Sequence, residues 1–279
     1  MEDPAYIKKA KAGKLDSIGL GLLAVWLGAL QIVLDKGQED DWFGATWIRW
    51  AVVILVSGFV AFLYRELTHD KPLVRLSVFK NRNFAVGCLL IFLFGGVIYG
   101  LVTLLPLFFQ ELLGYTALAA GLAVSPRGLG SLFFMPVIGI LTDRVDIRLR
   151  VCCGFVFTAL CLALARSDLE ISQWSLLWPI VFSGASVSLI FVPLAATTMG
   201  TLPNEEIGNA SGLYNLMRNV GGNIGISIVN TVLARHEQVH RSYMVYNVTG
   251  VSHTFQQQYQ ALWSFLTQHT DSATASIQA

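Results

Sequence analysis

The chain has 279 residues, 54% hydrophobic and only 13% charged, with a formal net charge of +1 and a mean hydropathy of +0.59. Soluble domains carry about 25% charged residues, so an ordinary soluble fold is excluded and a polytopic membrane protein is expected. The near-zero net charge gives no footing for nucleic acid.

A helix needs about 20 mainly apolar residues to cross a bilayer core of about 30 Å. Seven runs approach that length: 17–34, 46–64, 84–109, 117–141, 151–165, 176–199 and 213–233. Helices are expected throughout, because lipid offers no partner to open backbone groups. The first run follows a polar, basic segment, residues 1–15. The run at 117–141 is threaded with glycine and proline and closes on a compact charged turn, Asp143-Arg144-Val145-Asp146-Ile147-Arg148, before the next run begins.

Seven spans alternate the loops between two sides. Twelve Lys and Arg residues fall on the side of the N-terminus and of the 143–148 turn, and five on the other. The positive-inside rule then places the N-terminus in the cytoplasm and the polar tail, 234–279, outside. Trp42, Trp47, Trp50, Trp174 and Trp178 gather near the outer helix ends, as an interfacial aromatic belt does. The cysteines, Cys88, Cys152, Cys153 and Cys161, match no zinc or redox spacing and are expected to be small buried apolar side chains. His236 and His240 share a helical face, but no carboxylate or cysteine completes a metal site, so a solvated tail is expected.

Gly96/Gly100, Gly208/Gly212 and Gly221/Gly225 have the spacing that lets helices approach closely. Pro106, Pro126, Pro136 and Pro193 are placed to kink spans. Charge inside a span is costly and faces a cavity or a partner. Arg127, in Ser125-Pro126-Arg127-Gly128, lies deep enough for a cavity or gating role. Arg218 lies near the start of the last run, where it either snorkels or faces a cavity. Asp35 ends the first run beside an acidic outer loop; a proton-linked role would require its desolvation. No nucleophile–base pair or carboxylate dyad stands out, so neither an enzyme nor a cofactor is expected.

The turn at 139–148, GILTDRVDIR, resembles the signature turn of the major facilitator superfamily, G-x-L-x-D-R-x-G-x-R, with Asp146 where the pattern has glycine. LQIVLDKGQEDDW at 30–42, SPRG at 125–128 and RNVGGNIG at 218–225 are similar to the EmrB/QacA group of fourteen-helix drug:proton antiporters, of the Gram-negative EmrB-like kind. The resemblance implies a C-terminal fragment of a proton-driven multidrug efflux permease in the inner membrane. Residues 16–82 would hold two linker helices and a cytoplasmic loop, and 83–233 five helices of the C-terminal half-bundle. It also implies Asp143, Arg144 and Arg148 as gate residues, with protons and amphipathic drugs as substrates. Its implied partners are a periplasmic adaptor of the EmrA kind and a TolC-like outer-membrane channel.

The expected fold is therefore an all-α transmembrane bundle, a partial major facilitator fold of about seven spans. The rival readings are a truncated, non-transporting membrane subunit and, less favoured by the charge count, a seven-helix receptor.

Overall fold

The computed structural model describes residues 16–40, 42–69, 72–141, 145–164 and 173–247, with Gln256, Gln257, Gln260, Trp263 and Ser264 beyond them. Its helices are α1 (Ser17–Lys36), α2 (Thr46–Thr68), α3 (Arg82–Leu107), α4 (Ala117–Val124), α5 (Pro126–Leu141), α6 (Ile147–Leu164), α7 (Gln173–Met199) and α8 (Ile207–Asn247). There is no strand among the described residues. The chain divides into two compact units, Met1–Val229 and Asn230–Ala279.

Each predicted apolar run falls on helix where it is described, and five helical segments are both long and apolar enough to cross a membrane. The remaining two runs fall on α6, an 18-residue helix whose side chains are described as far as Leu160, and on α8, which interrupts its apolar residues with Asn215, Arg218, Asn219, Asn223 and Asn230. The tail expected from residue 234 begins as helix: α8 continues to Asn247, and His236 and His240 lie exposed on it.

Local chemistry explains where helices start and break. Asp16 caps α1 by accepting from the Gly19 N–H at 3.1 Å, Asn81 caps α3 through the N–H groups of Asn83 and Phe84, and Thr116 caps α4. Each satisfies donors that a helix start leaves open. Proline cannot donate to the helical ladder. Pro126 accordingly opens α5 and divides one predicted run in two, and Pro106 precedes a wide π turn, Phe108–Leu112. The chain then reverses at Gly114, whose φ of +66° is one that glycine adopts without steric cost.

The core joins α3, α7 and α8 with a short 3-10 turn, Leu76–Lys80. Phe84, Cys88, Ile91, Ile190 and Tyr214 are all buried there. Asparagines pin the loops at this end. Asn209 both accepts from the Arg75 N–H (3.0 Å) and donates to the Arg75 carbonyl (3.1 Å), and Asn83 donates to the Thr197 carbonyl (2.8 Å). Such side-chain bonds satisfy backbone groups that a loop would otherwise leave open. Much of the outer surface is apolar instead: Phe133 and Ile140 are exposed, as helices in lipid allow.

The same solvent accounts for a departure from expectation among the cysteines. Cys88 is buried, but Cys152 is exposed and Cys153 half-buried, because an apolar side chain gains little by leaving lipid for the bundle interior. The side chain of Cys161 lies outside the described residues. Trp47, Trp50 and Trp178 are exposed near helix ends, in keeping with an aromatic belt.

Tyr214 provides a test of the core. It is 1% exposed, and its hydroxyl is buried with no hydrogen-bond partner. A buried unpaired polar group costs about 1–3 kcal/mol. Tyr214→Phe is therefore expected to leave stability unchanged or raise it by about 1 kcal/mol, read from unfolding in detergent. A clear loss of stability would show that the hydroxyl has a partner.

Candidate functional site

Three helices meet around a pocket of about 210 Å³ lined by Phe94, Gly95, Ile98 and Tyr99 of α3, Val187 and Phe191 of α7, and Arg218 of α8. Glycines make the approach possible. A side-chain carbon on Gly221 would overlap the Phe92 carbonyl, and one on Gly225 would overlap the backbone of Gly96. Backbone lies against backbone at this crossing, which brings the start of α8 and its arginine onto α3. Two of the three predicted glycine pairs thus meet each other, while Gly208 and Gly212 face open space.

Arg218 is the polar feature of this pocket. Its guanidinium carbon lies 5.2 Å from the centre of the Phe191 ring, a cation–π arrangement. Its Nε is buried without a hydrogen-bond partner, and no described ion pair includes it. Arginine stays charged in any protein setting, so the pocket joins a fixed positive charge to an aromatic and aliphatic wall.

Arg127 is the second residue of α5, half-buried, and is not among the lining residues. Its carbonyl faces Gly184 at a second tight crossing, between α5 and α7, where Ser188 also donates to the Ser131 carbonyl at 3.0 Å. Asp35 is exposed in the last turn of α1 and accepts from Gln31 at 2.7 Å. Asp143 and Arg144 lie outside the described residues; Arg148 falls in the first turn of α6, and its side chain is likewise outside them. Among the described residues no cluster of His, Cys, Asp and Glu could hold a metal ion.

The structure also assembles charges that the sequence reading passed over. Arg65 of α2 grips Asp16 at the start of α1 through Nε and Nη2, with distances of 2.7–3.1 Å. Beside them Glu66 is buried and accepts from the Val74 N–H at 3.1 Å. Asp16 was legible as a cap, standing just before an apolar run, but a pairing across 49 residues was not. Arg150, near the start of α6, is buried with Nε and Nη1 unpartnered.

The Arg65 side chain, the Gly19 N–H and the nearby charge of His69 hold the Asp16 carboxyl at a pKa of about 2, below its ordinary 3.8. A carboxyl lowered on folding stabilises the fold at pH values above its unfolded pKa and loses that contribution as pH falls through the folded value. Detergent-solubilised protein is expected to lose stability between about pH 4 and pH 2, and Asp16→Asn to lose less in that window. An identical acid profile for Asp16→Asn would remove the ion pair from the account.

The chain matches the Major Facilitator Superfamily over residues 17–226. It belongs to that superfamily. It is 36% identical over 251 residues to the multidrug export protein EmrB of Escherichia coli (strain K12), which covers 89% of this chain and 49% of that protein. It is 36% identical over 242 residues to the fatty acid resistance protein FarB of Neisseria gonorrhoeae, covering 86% and 47%. The colistin resistance protein EmrB of Acinetobacter baumannii is 33% identical over 221 residues, covering 78% and 43%. The chain spans about half the length of the curated relatives it matches. Major facilitators are multi-pass membrane transporters and generally not enzymes, and the helices found here fit that architecture.

Proposed function

We propose that this chain forms one wall of a proton-coupled exporter of amphipathic compounds in the bacterial inner membrane, working by alternating access. The pocket of α3, α7 and α8 carries the reading: an apolar, aromatic wall with a single fixed charge suits a molecule that is itself part apolar and part polar. Similarity to proteins named for multidrug export and for fatty acid and colistin resistance supports the same class. Alternating access requires packed elements with two discrete arrangements. The close glycine crossing of α3 on α8 is one such packed element, where backbone meets backbone at Gly96, Gly221 and Gly225.

In this reading residues 1–15 are cytoplasmic, 16–82 form two linker helices and a cytoplasmic loop, 83–233 form five helices of a half-bundle, and 234–279 are extracytoplasmic. Asp143, Arg144 and Arg148 hold the cytoplasmic gate through pairing with a facing bundle, Arg127 takes a cavity or gating role outside the pocket of α3, α7 and α8, and Asp35 marks the outer end of α1. An EmrA-like adaptor and a TolC-like channel carry the compound onward. A non-transporting subunit is the weaker reading, since the similarity runs to exporters along most of the chain.

The test is a chimera in which this chain replaces the matched segment of the Escherichia coli export protein, expressed in a strain lacking its own. Restored resistance to that exporter's compounds is expected. A chimera that reaches the membrane at normal levels yet gives no resistance would contradict the proposal.

A further inference from the structure

We infer that the head of α3 is a docking site for an acidic phospholipid, with Arg75, Lys80 and Arg82 meeting its phosphate and an apolar row of α3 taking one acyl chain. The inference goes beyond the export reading and rests only on placement in a membrane, which the superfamily shows. Arg82 opens α3 and is exposed. Val86, Leu89, Leu93 and Val97 follow it at spacings that keep to one helical face, and all four are exposed. Phe84, Cys88 and Ile91 lie in the core on the opposite face, so the row looks away from the bundle interior. From Arg82 to Leu93 the helix rises about 16 Å, close to one leaflet of a hydrocarbon core about 30 Å thick.

The charges at the head of this row decide what covers it. Arg75, Lys80 and Arg82 are exposed within one short stretch, and none has an ion pair or a side-chain hydrogen bond among the described residues. The acids nearby do not neutralise them. Asp16 is held by Arg65, Glu66 is buried and accepts from the Val74 N–H, and Glu205 and Glu206, ahead of α8, enter no described ion pair. Charge that served topology alone could ride on any loop. This stretch is fixed instead: Asn209 bonds both backbone groups of Arg75, Val78 is 2% exposed in the core, and Asn81 caps α3 and donates to Thr201 Oγ1 at 3.2 Å. A phosphate accepts from arginine and lysine through charge-assisted bonds, and basic clusters beside a membrane-spanning helix attract anionic lipid. The choline of phosphatidylcholine would meet like charge. A soluble anion would leave the apolar row uncovered, and an apolar protein helix would cover the row but leave the cations unmet.

The probes are phosphatidylglycerol and phosphatidylcholine, each carrying a photoreactive diazirine midway along one acyl chain. Each is doped into phosphatidylcholine nanodiscs that hold the full chain, cross-linked by light and located by peptide mass spectrometry. Phosphatidylglycerol is expected to label residues 86–97 at least about fivefold more than phosphatidylcholine, the weight of one Lys or Arg at an anionic membrane surface. The two lipids should label the surroundings of exposed Phe133 on α5 equally. A chain carrying Arg75→Gln, Lys80→Gln and Arg82→Gln together should lose the excess on α3 and keep the labelling at Phe133. Equal labelling of α3 by both lipids, an excess as large at Phe133, or an excess on α3 that survives the triple substitution would overturn the inference. Labelling at Phe133 with none on α3 from either lipid would overturn it too, since protein, such as a second copy of the chain, would then cover the row. If the triple variant does not accumulate, Arg82→Gln decides alone: the excess should fall by half or more, and an unchanged excess overturns the inference. No readout requires transport, so the export reading and this one fail separately.

Discussion

Gly221→Ala should lower stability by about 3 kcal/mol, the upper end of the usual cost of overpacking, while Gly212→Ala should raise it by up to about 1 kcal/mol. The chemical change is the same one methyl group on the same helix. At Gly221 the added carbon would overlap the Phe92 carbonyl, which is backbone and cannot swing aside, so α3 and α8 must part. That displacement also widens the pocket at Phe94 and Gly95. At Gly212 nothing lies within reach, and only the gain in helix propensity remains. Unfolding of the purified chain in detergent measures both. Equal shifts of either sign would mean that α8 does not cross α3 on its glycine face.

Phe84→Ala is the second large effect. Phe84 is fully buried in the first turn of α3, edge-on to Phe79 at 5.4 Å, within the cluster that joins α3, α7 and α8. Removing a buried phenyl ring costs about 3–5 kcal/mol in soluble cores, through lost transfer energy and the cavity left behind. In a bilayer the transfer part shrinks, because the alternative solvent for many apolar groups is also apolar. The cavity part remains, and a loss of about 3 kcal/mol is expected. Phe133→Ala on the lipid-facing side should change stability by no more than about 0.5 kcal/mol. A small effect at Phe84 would mean that this cluster does not hold the three helices together.

The sequence made the helices legible because the bilayer imposes a length and forbids open backbone. The superfamily was legible as well, through the charged turn at 139–148 and the stretches at 30–42, 125–128 and 218–225. What stayed hidden depends on register between helices. Gly208/Gly212 and Gly221/Gly225 have the same spacing, yet only the second pair meets another helix, because the crossing angle and rotation of α8 decide which face is presented. The approach of Arg218 to Phe191, and of Arg65 to Asp16, spans distances in the chain that no local pattern encodes. The break at Pro126 was legible in kind but was read as a kink in one span rather than the junction of two helices. Exposed Cys152 shows the limit of equating apolar with buried when the surrounding solvent is lipid.

The central proposal is that this chain supplies one wall of an exporter and works only opposite a second. Proton-driven dye efflux from vesicles tests it directly. Vesicles with this chain alone should show none, and vesicles in which it is joined to the N-terminal half of the Escherichia coli export protein should show efflux that an uncoupler abolishes. Efflux from the chain alone, or none from a well-inserted joined protein, would contradict the account.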